Sequence, residues 1–181
     1  METIQVREAM APLESLTAVN EGVTLMEAAS ALKACNLKTP GPALLRVLDG
    51  AGGTAGVVGM VDVIRGLEPK YQGSGLFGGM REKGFPEKLL EMFVASHGAE
   101  HASIANLVKR ANSCAVREIL RPPFEDETIE GGASIGVALD TLVLRRREYL
   151  LVMDGGRVAG VVDAFLILDA ALKGDGQPGE G

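Results

Sequence analysis

His97-Gly98-Ala99-Glu100-His101 has the H-x-x-E-H spacing with which one class of metalloprotease holds zinc on two histidines and uses the glutamate as base. That chemistry needs a helix where Gly98 stands, these are the chain's two histidines, and no third-ligand helix follows at a suitable distance. The stretch therefore reads as a loop, and no metal site and no catalytic residue is expected. Gly73 to Gly79 lacks the Lys-Ser or Lys-Thr that completes a phosphate-cradling loop, Gly52-Gly53 suits a hairpin turn, and no nucleophilic triad assembles. Arg145-Arg146-Arg147 offers charge to a phosphate, but the simpler reading is of bases at a helix C-terminus, where the dipole favours them. Asp62 and Asp163 each follow a Gly-Val-Val stretch at the start of a helix, where an acid is favoured with or without a ligand.

The elements that would position these residues come in two copies. Val6-Arg7-Glu8-Ala9-Met10-Ala11-Pro12 returns 110 residues on as Val116-Arg117-Glu118-Ile119-Leu120-Arg121-Pro122. Asp49-Gly50 returns as Asp154-Gly155 and Gly56-Val57-Val58 as Gly160-Val161-Val162, in the same order, so only loop lengths drift. In the first copy Leu16 to Val19 is extended, and Thr24-Leu25-Met26-Glu27 has the form of a capping box opening a helix to about Cys35. Leu44 to Leu48 and Ala55 to Met60 form a hairpin, and a helix from Met60 to Leu67 closes the unit. The second copy repeats this with a helix from Ser134 to Arg145, strands Tyr149 to Met153 and Val158 to Val162, and a helix from Asp163 to Leu172. Neither copy could bury its sheet alone.

The division expected is residues 1–67 and 116–173 for the two units, 68–115 for a connector, and 174–181 for a tail without structure. The connector carries helices over Pro86 to Ser96 and Glu100 to Ala111 with apolar stripes, such as Leu89, Leu90 and Phe93, that need a packing partner. A net charge of −6 and 4% aromatic residues argue against nucleic acid, which needs basic faces and stacking platforms. No apolar run is long enough to span a membrane, and two cysteines without a secretory leader read as reduced thiols of a cytoplasmic protein.

A duplicated βαββα unit with this head, a capped helix and these hairpin residues resembles the CBS domain, and the pair resembles a Bateman module. The resemblance implies an α/β fold in which two units pack about a pseudo-twofold axis and leave clefts for adenosine-containing ligands such as AMP, ADP, ATP or S-adenosylmethionine. It implies a regulatory, non-catalytic role exercised on a separate partner protein, and a homodimer. The alternative is a ligand-free pair serving oligomerisation or partner binding. In the family's ligand signature a hydroxyl residue caps the final helix near phosphate, and an Asp three positions on accepts hydrogen bonds from ribose. The first copy keeps Asp62 but has Gly59 at the cap, after Val57. The second has Asp163 at the cap, where it would repel phosphate, and Leu166 in place of the ribose carboxylate. The first cleft is thus the favoured one. By family position Thr17 and Thr39 approach the base, and Arg146 of the arginine run supplies phosphate charge.

Overall fold

The computed structural model describes residues 4–36, 43–68, 80, 83–96 and 103–175. The first half holds α1 (Val6–Ala9), β1 (Ala11–Pro12), a 3-10 turn (Leu13–Ser15), β2 (Thr17–Asn20), α2 (Leu25–Asn36), β3 (Leu44–Leu48), β4 (Thr54–Gly59) and α3 (Met60–Leu67). The connector provides α4 (Glu87–Ser96) and α5 (Ile104–Ser113). The second half follows with 3-10 turns at Val116–Glu118 and Glu125–Glu127, then β5 (Thr128–Glu130), α6 (Ile135–Leu144), β6 (Tyr149–Asp154), β7 (Arg157–Asp163) and α7 (Ala164–Asp175). The last helix thus continues two residues into the stretch expected to be tail.

Local chemistry accounts for these boundaries. Glu27 accepts the backbone N–H of Thr24 at 2.7 Å while Thr24 Oγ1 accepts that of Glu27 at 3.2 Å, the reciprocal box that opens α2. Ser134 caps α6 by accepting from the Val137 amide, and Asp163 caps α7 by accepting from Leu166 at 2.8 Å. In the connector, Ser103 accepts from the Asn106 amide, so α5 starts later than the apolar pattern alone predicted. Asp49 folds the first hairpin turn by accepting from Ala51 and Gly53, with Gly52 at φ +82, whereas the second turn uses Gly155 and Gly156, both at positive φ. That difference in turn construction removes one residue of register, since Asp49 matches Asp154 at an offset of 105 and Gly56 matches Gly160 at 104; the drift from 110 to 105 falls before the hairpin.

Two sheets result, β2-β3-β4 and β1-β7-β6-β5. β2 runs parallel to β3 and β5 parallel to β6, an antiparallel hairpin follows in each, with the same irregularity at Val47/Leu48 and Val152/Met153, and β1 joins the second sheet antiparallel to β7. One core fills between α2, α3 and the first sheet around Leu25, Leu32, Leu45 and Val47, and a second, around Leu142, Leu150, Val152 and Val162, fills the other half. A third cluster, with Leu44, Leu151 and Val161 at its centre and Val57 and Tyr149 against it, joins the two halves sheet to sheet.

The head segments are exchanged between the copies. Val116 is fully buried in the first core and Val6 in the second. Main-chain bonds mirror one another: Val116 N–H donates to Val23 O and Arg117 N–H to Glu21 O, while Val6 N–H donates to Ala133 O and Arg7 N–H to Gly131 O. Glu8 and Glu118 each fold back to accept the backbone N–H three residues before them. The repeated Val-Arg-Glu is thus a staple, with a buried apolar residue, an arginine over the partner copy's turn, and a glutamate that closes its own first turn. The repeat in sequence and the packed unit in space differ by these heads.

Candidate functional site

Strand β4 runs directly into α3, so the backbone must turn at Gly59, which is buried against Leu44 and the Tyr149 hydroxyl. The N–H of Gly59 donates to Asp62 Oδ2 at 2.9 Å, the half of a capping box that the third helical residue supplies, while Gly59 has no side chain to accept from the helix's first amides. Its other oxygen faces two guanidinium groups, Arg65 at 3.4 Å and Arg121 at 3.8 Å. Arg121 comes from the exchanged head of the second copy, so a carboxylate of one copy and a cation of the other meet across the gap between them.

Arg121 grips Glu127 with both terminal nitrogens, at 2.8 and 2.9 Å, and lies 4.2 Å above the centre of the Phe124 ring. Glu127 also accepts the Phe124 N–H at 3.0 Å and faces Arg147 at 3.5 Å, and Arg147 pairs with Asp126. Burial opposes ionisation of Glu127, but the Arg121 fork, the Phe124 amide and the neighbouring charges outweigh it, so its carboxyl lies below the usual range. Burial likewise disfavours the Arg121 cation, and Glu127 followed by Asp62 more than restores it. Tyr149, half-buried at the start of β6, has its hydroxyl pushed up to about 12 by burial, then by the negative charges of Asp62 and Glu127.

These groups line a cleft of about 970 Å³ between β4 and α3 of the first copy and the Arg121–Pro123 and Arg146–Tyr149 segments of the second. The volume suits a small organic ligand. Its wall is apolar along Val57, Val58 and Leu120 and carries five arginines, at positions 65, 121, 146, 147 and 157, against four acids, Glu14, Asp62, Glu127 and Glu148. In a chain of net charge −6 this concentrates cations in one place. The arrangement offers an apolar slot for a planar body and guanidinium donors for an anion.

Of the residues singled out from the sequence, Asp62, Val57 and Arg146 line this cleft, and Gly59 stands at its edge beneath Tyr149. Thr17 does not line it: the residue is exposed on β2, and its hydroxyl accepts from Cys35 Sγ at 3.2 Å. Thr39 lies outside the described residues, as do His97 and His101. Asp163 is turned to its own helix, 4% exposed. On that side, Ala11–Pro12 pairs with β7, and a Cβ on Gly160 would stand 2.5 Å from the Ala11 carbonyl, so the strand before Asp163 is covered. The residues that sequence reasoning missed are Arg121, Glu127 and Tyr149. Two of them carried a signal, because they stand where the first copy has Ala11 and Leu44.

No protein-family model and no curated protein matches the chain. Solved structures do. CBSX2 from Arabidopsis thaliana, a CBS-pair protein, is 16% identical over 98% of this chain and 100% of its own, with a TM-score of 0.56. CBSX2 in complex with AMP matches at 17% identity, 94% and 98% coverage and a TM-score of 0.53. A putative acetoin utilization protein from Vibrio cholerae matches at 12% identity, 98% and 100% coverage and a TM-score of 0.54. The fold is that of a tandem CBS-domain pair, as the repeat implied. Among the described residues no helix is long and apolar enough to cross a membrane.

Proposed function

We propose that this pair is a regulatory module that binds an adenosine-containing nucleotide in the Asp62 cleft and passes the bound state to a separate partner protein. The observation that carries it is the cleft itself, a slot of about 970 Å³ with an apolar wall and five arginines, built by residues of both copies. Asp62 holds the position that resemblance gives to the ribose contact, and Val57 offers an apolar wall to a base. Arg146, which lines the same cleft, would supply charge to a phosphate. The likeness to CBSX2, solved with AMP, supports the same ligand class. The strand before Asp163, covered by Ala11–Pro12, supports one working cleft rather than two. Because two sheets join across the cleft, a ligand that wedges Asp62 from Arg121 would alter how the copies meet, which a partner could sense. We place the module in the cytoplasm, as a homodimer with reduced thiols, without catalytic activity.

Thermal unfolding with AMP, ADP, ATP, S-adenosylmethionine and NAD tests this. A ligand at 100 times its dissociation constant adds about 2.7 kcal/mol to the native state. Stabilisation by AMP that disappears in Asp62→Ala is the expected result. No shift with any of the five would sink the proposal and leave the ligand-free scaffold.

A further inference from the structure

Most polar groups of the cleft already serve one another. Asp62 is held by the Gly59 amide, Arg65 and Arg121, and Glu127 is held by Arg121, Arg147 and the Phe124 amide. The Tyr149 hydroxyl is different. Among the described residues it makes no hydrogen bond, although it lines the cleft and a half-buried phenol ordinarily finds a partner. The side chains of Arg146 and Arg157, which line the same cleft, likewise make no hydrogen bond or ion pair among the described residues. All three are donors. The two guanidinium groups can only donate, so a ligand that satisfies all three together brings acceptors.

We infer that Tyr149 is a specificity-determining residue, its hydroxyl donating to the phosphate of a nucleotide and so selecting phosphorylated ligands over adenosine and S-adenosylmethionine; this rests on the Asp62 cleft being the nucleotide site. The geometry supports it directly. A Cβ built on Gly59 would stand 3.5 Å from the Tyr149 oxygen, so the phenol reaches from the second copy into the space that a hydroxyl side chain at position 59 would enter. The first copy's cap residue has no hydroxyl, and Tyr149 of the second copy sets one beside it across the interface. Burial, and then the neighbouring carboxylates, push the phenol up to about 12, so across the physiological range it is a neutral donor and not a competing anion. A phosphate monoester brings three acceptor oxygens and a net negative charge, whereas S-adenosylmethionine sets a sulfonium and an ammonium against a single carboxylate and so brings net positive charge to a wall that holds five arginines.

Calorimetric titration of the full chain and of Tyr149→Phe with AMP and with adenosine tests the inference. The substitution keeps the ring, so the unligated melting temperature reports whether packing is preserved. Expected is a roughly ten- to hundred-fold weaker affinity for AMP, the range for losing one hydrogen bond to a charged group. Adenosine should bind both proteins equally. Equal AMP affinities, or equal losses for AMP and adenosine, would overturn the role of Tyr149 and leave the nucleotide site standing. Failure of the unaltered chain to bind AMP would remove the site and the inference together.

Discussion

Replacing Val6 by Ala should damage the second half of the molecule rather than the half to which Val6 belongs in sequence. Val6 is fully buried in the cluster with Leu150, Val152 and Val162. The substitution removes two methyl groups at about 0.8 kcal/mol each and leaves a cavity, for a total of roughly 2–3 kcal/mol. In a domain of this size that lowers the melting temperature by roughly 5–10 °C. The assay that locates the loss is a pair of double-mutant cycles read by urea denaturation. Val6→Ala should couple with Val152→Ala, which shares its cluster, by at least about 0.5 kcal/mol, and should add to Val47→Ala, in the other cluster, within about 0.5 kcal/mol. Coupling to Val47 with simple additivity to Val152 would refute the exchange of heads.

Arg121→Met should cost about 1–3 kcal/mol at pH 7, because Glu127, whose side chain is 14% exposed, loses its two-pronged partner. Glu127 has a depressed pKa in the folded chain, so the stability it contributes is present above its unfolded pKa of about 4.3 and is lost as pH falls through the lower folded value. The gap between Arg121→Met and the unaltered chain, from urea denaturation, should therefore be widest above about pH 5 and narrow in acid; a gap independent of pH would exclude Glu127 as its origin. Gly160→Ala should cost about 1–3 kcal/mol, since its Cβ would meet the Ala11 carbonyl at 2.5 Å and Met10 Sδ at 2.8 Å. The counterpart Gly56→Ala meets only the end of the Leu120 side chain, at 3.1 Å, and should cost less than about 1 kcal/mol; equal effects in thermal unfolding would contradict the asymmetry of the two sides.

Local rules carried the elements. Leu44–Leu48 and Met60–Leu67 lie where the apolar pattern put them, and the caps at Thr24, Ser134 and Asp163 were readable because each is written within four residues. The exchange of heads was not readable. Similarity between Val6 and Val116 says that both fill equivalent holes, but not in which core each hole lies. Thr17 was assigned to the cleft by family position and instead stands exposed on β2 with Cys35 as its partner. Arg121, Glu127 and Tyr149 meet Asp62 only through folding, so no spacing announces them. What the sequence does hold is the mismatch between copies: a charge at Arg121 opposite Ala11, and a phenol at Tyr149 opposite Leu44. In a duplicated chain the shared positions build the fold, and polar departures from them mark where the two halves do different work.

Those departures also account for why one side is open. Ala11 is small, and the main chain at Ala11–Pro12 comes close enough to pair with β7 against Gly160. The equivalent Arg121–Pro122 forms no strand with β4, although Gly56 would allow as close an approach. Here Arg121 is fixed on Glu127, stacked on Phe124 and drawn toward Asp62, and the space between this segment and β4 is the cleft. A ligand entering there competes for groups that set the distance between the copies, which is the physical condition for binding to be felt beyond the site.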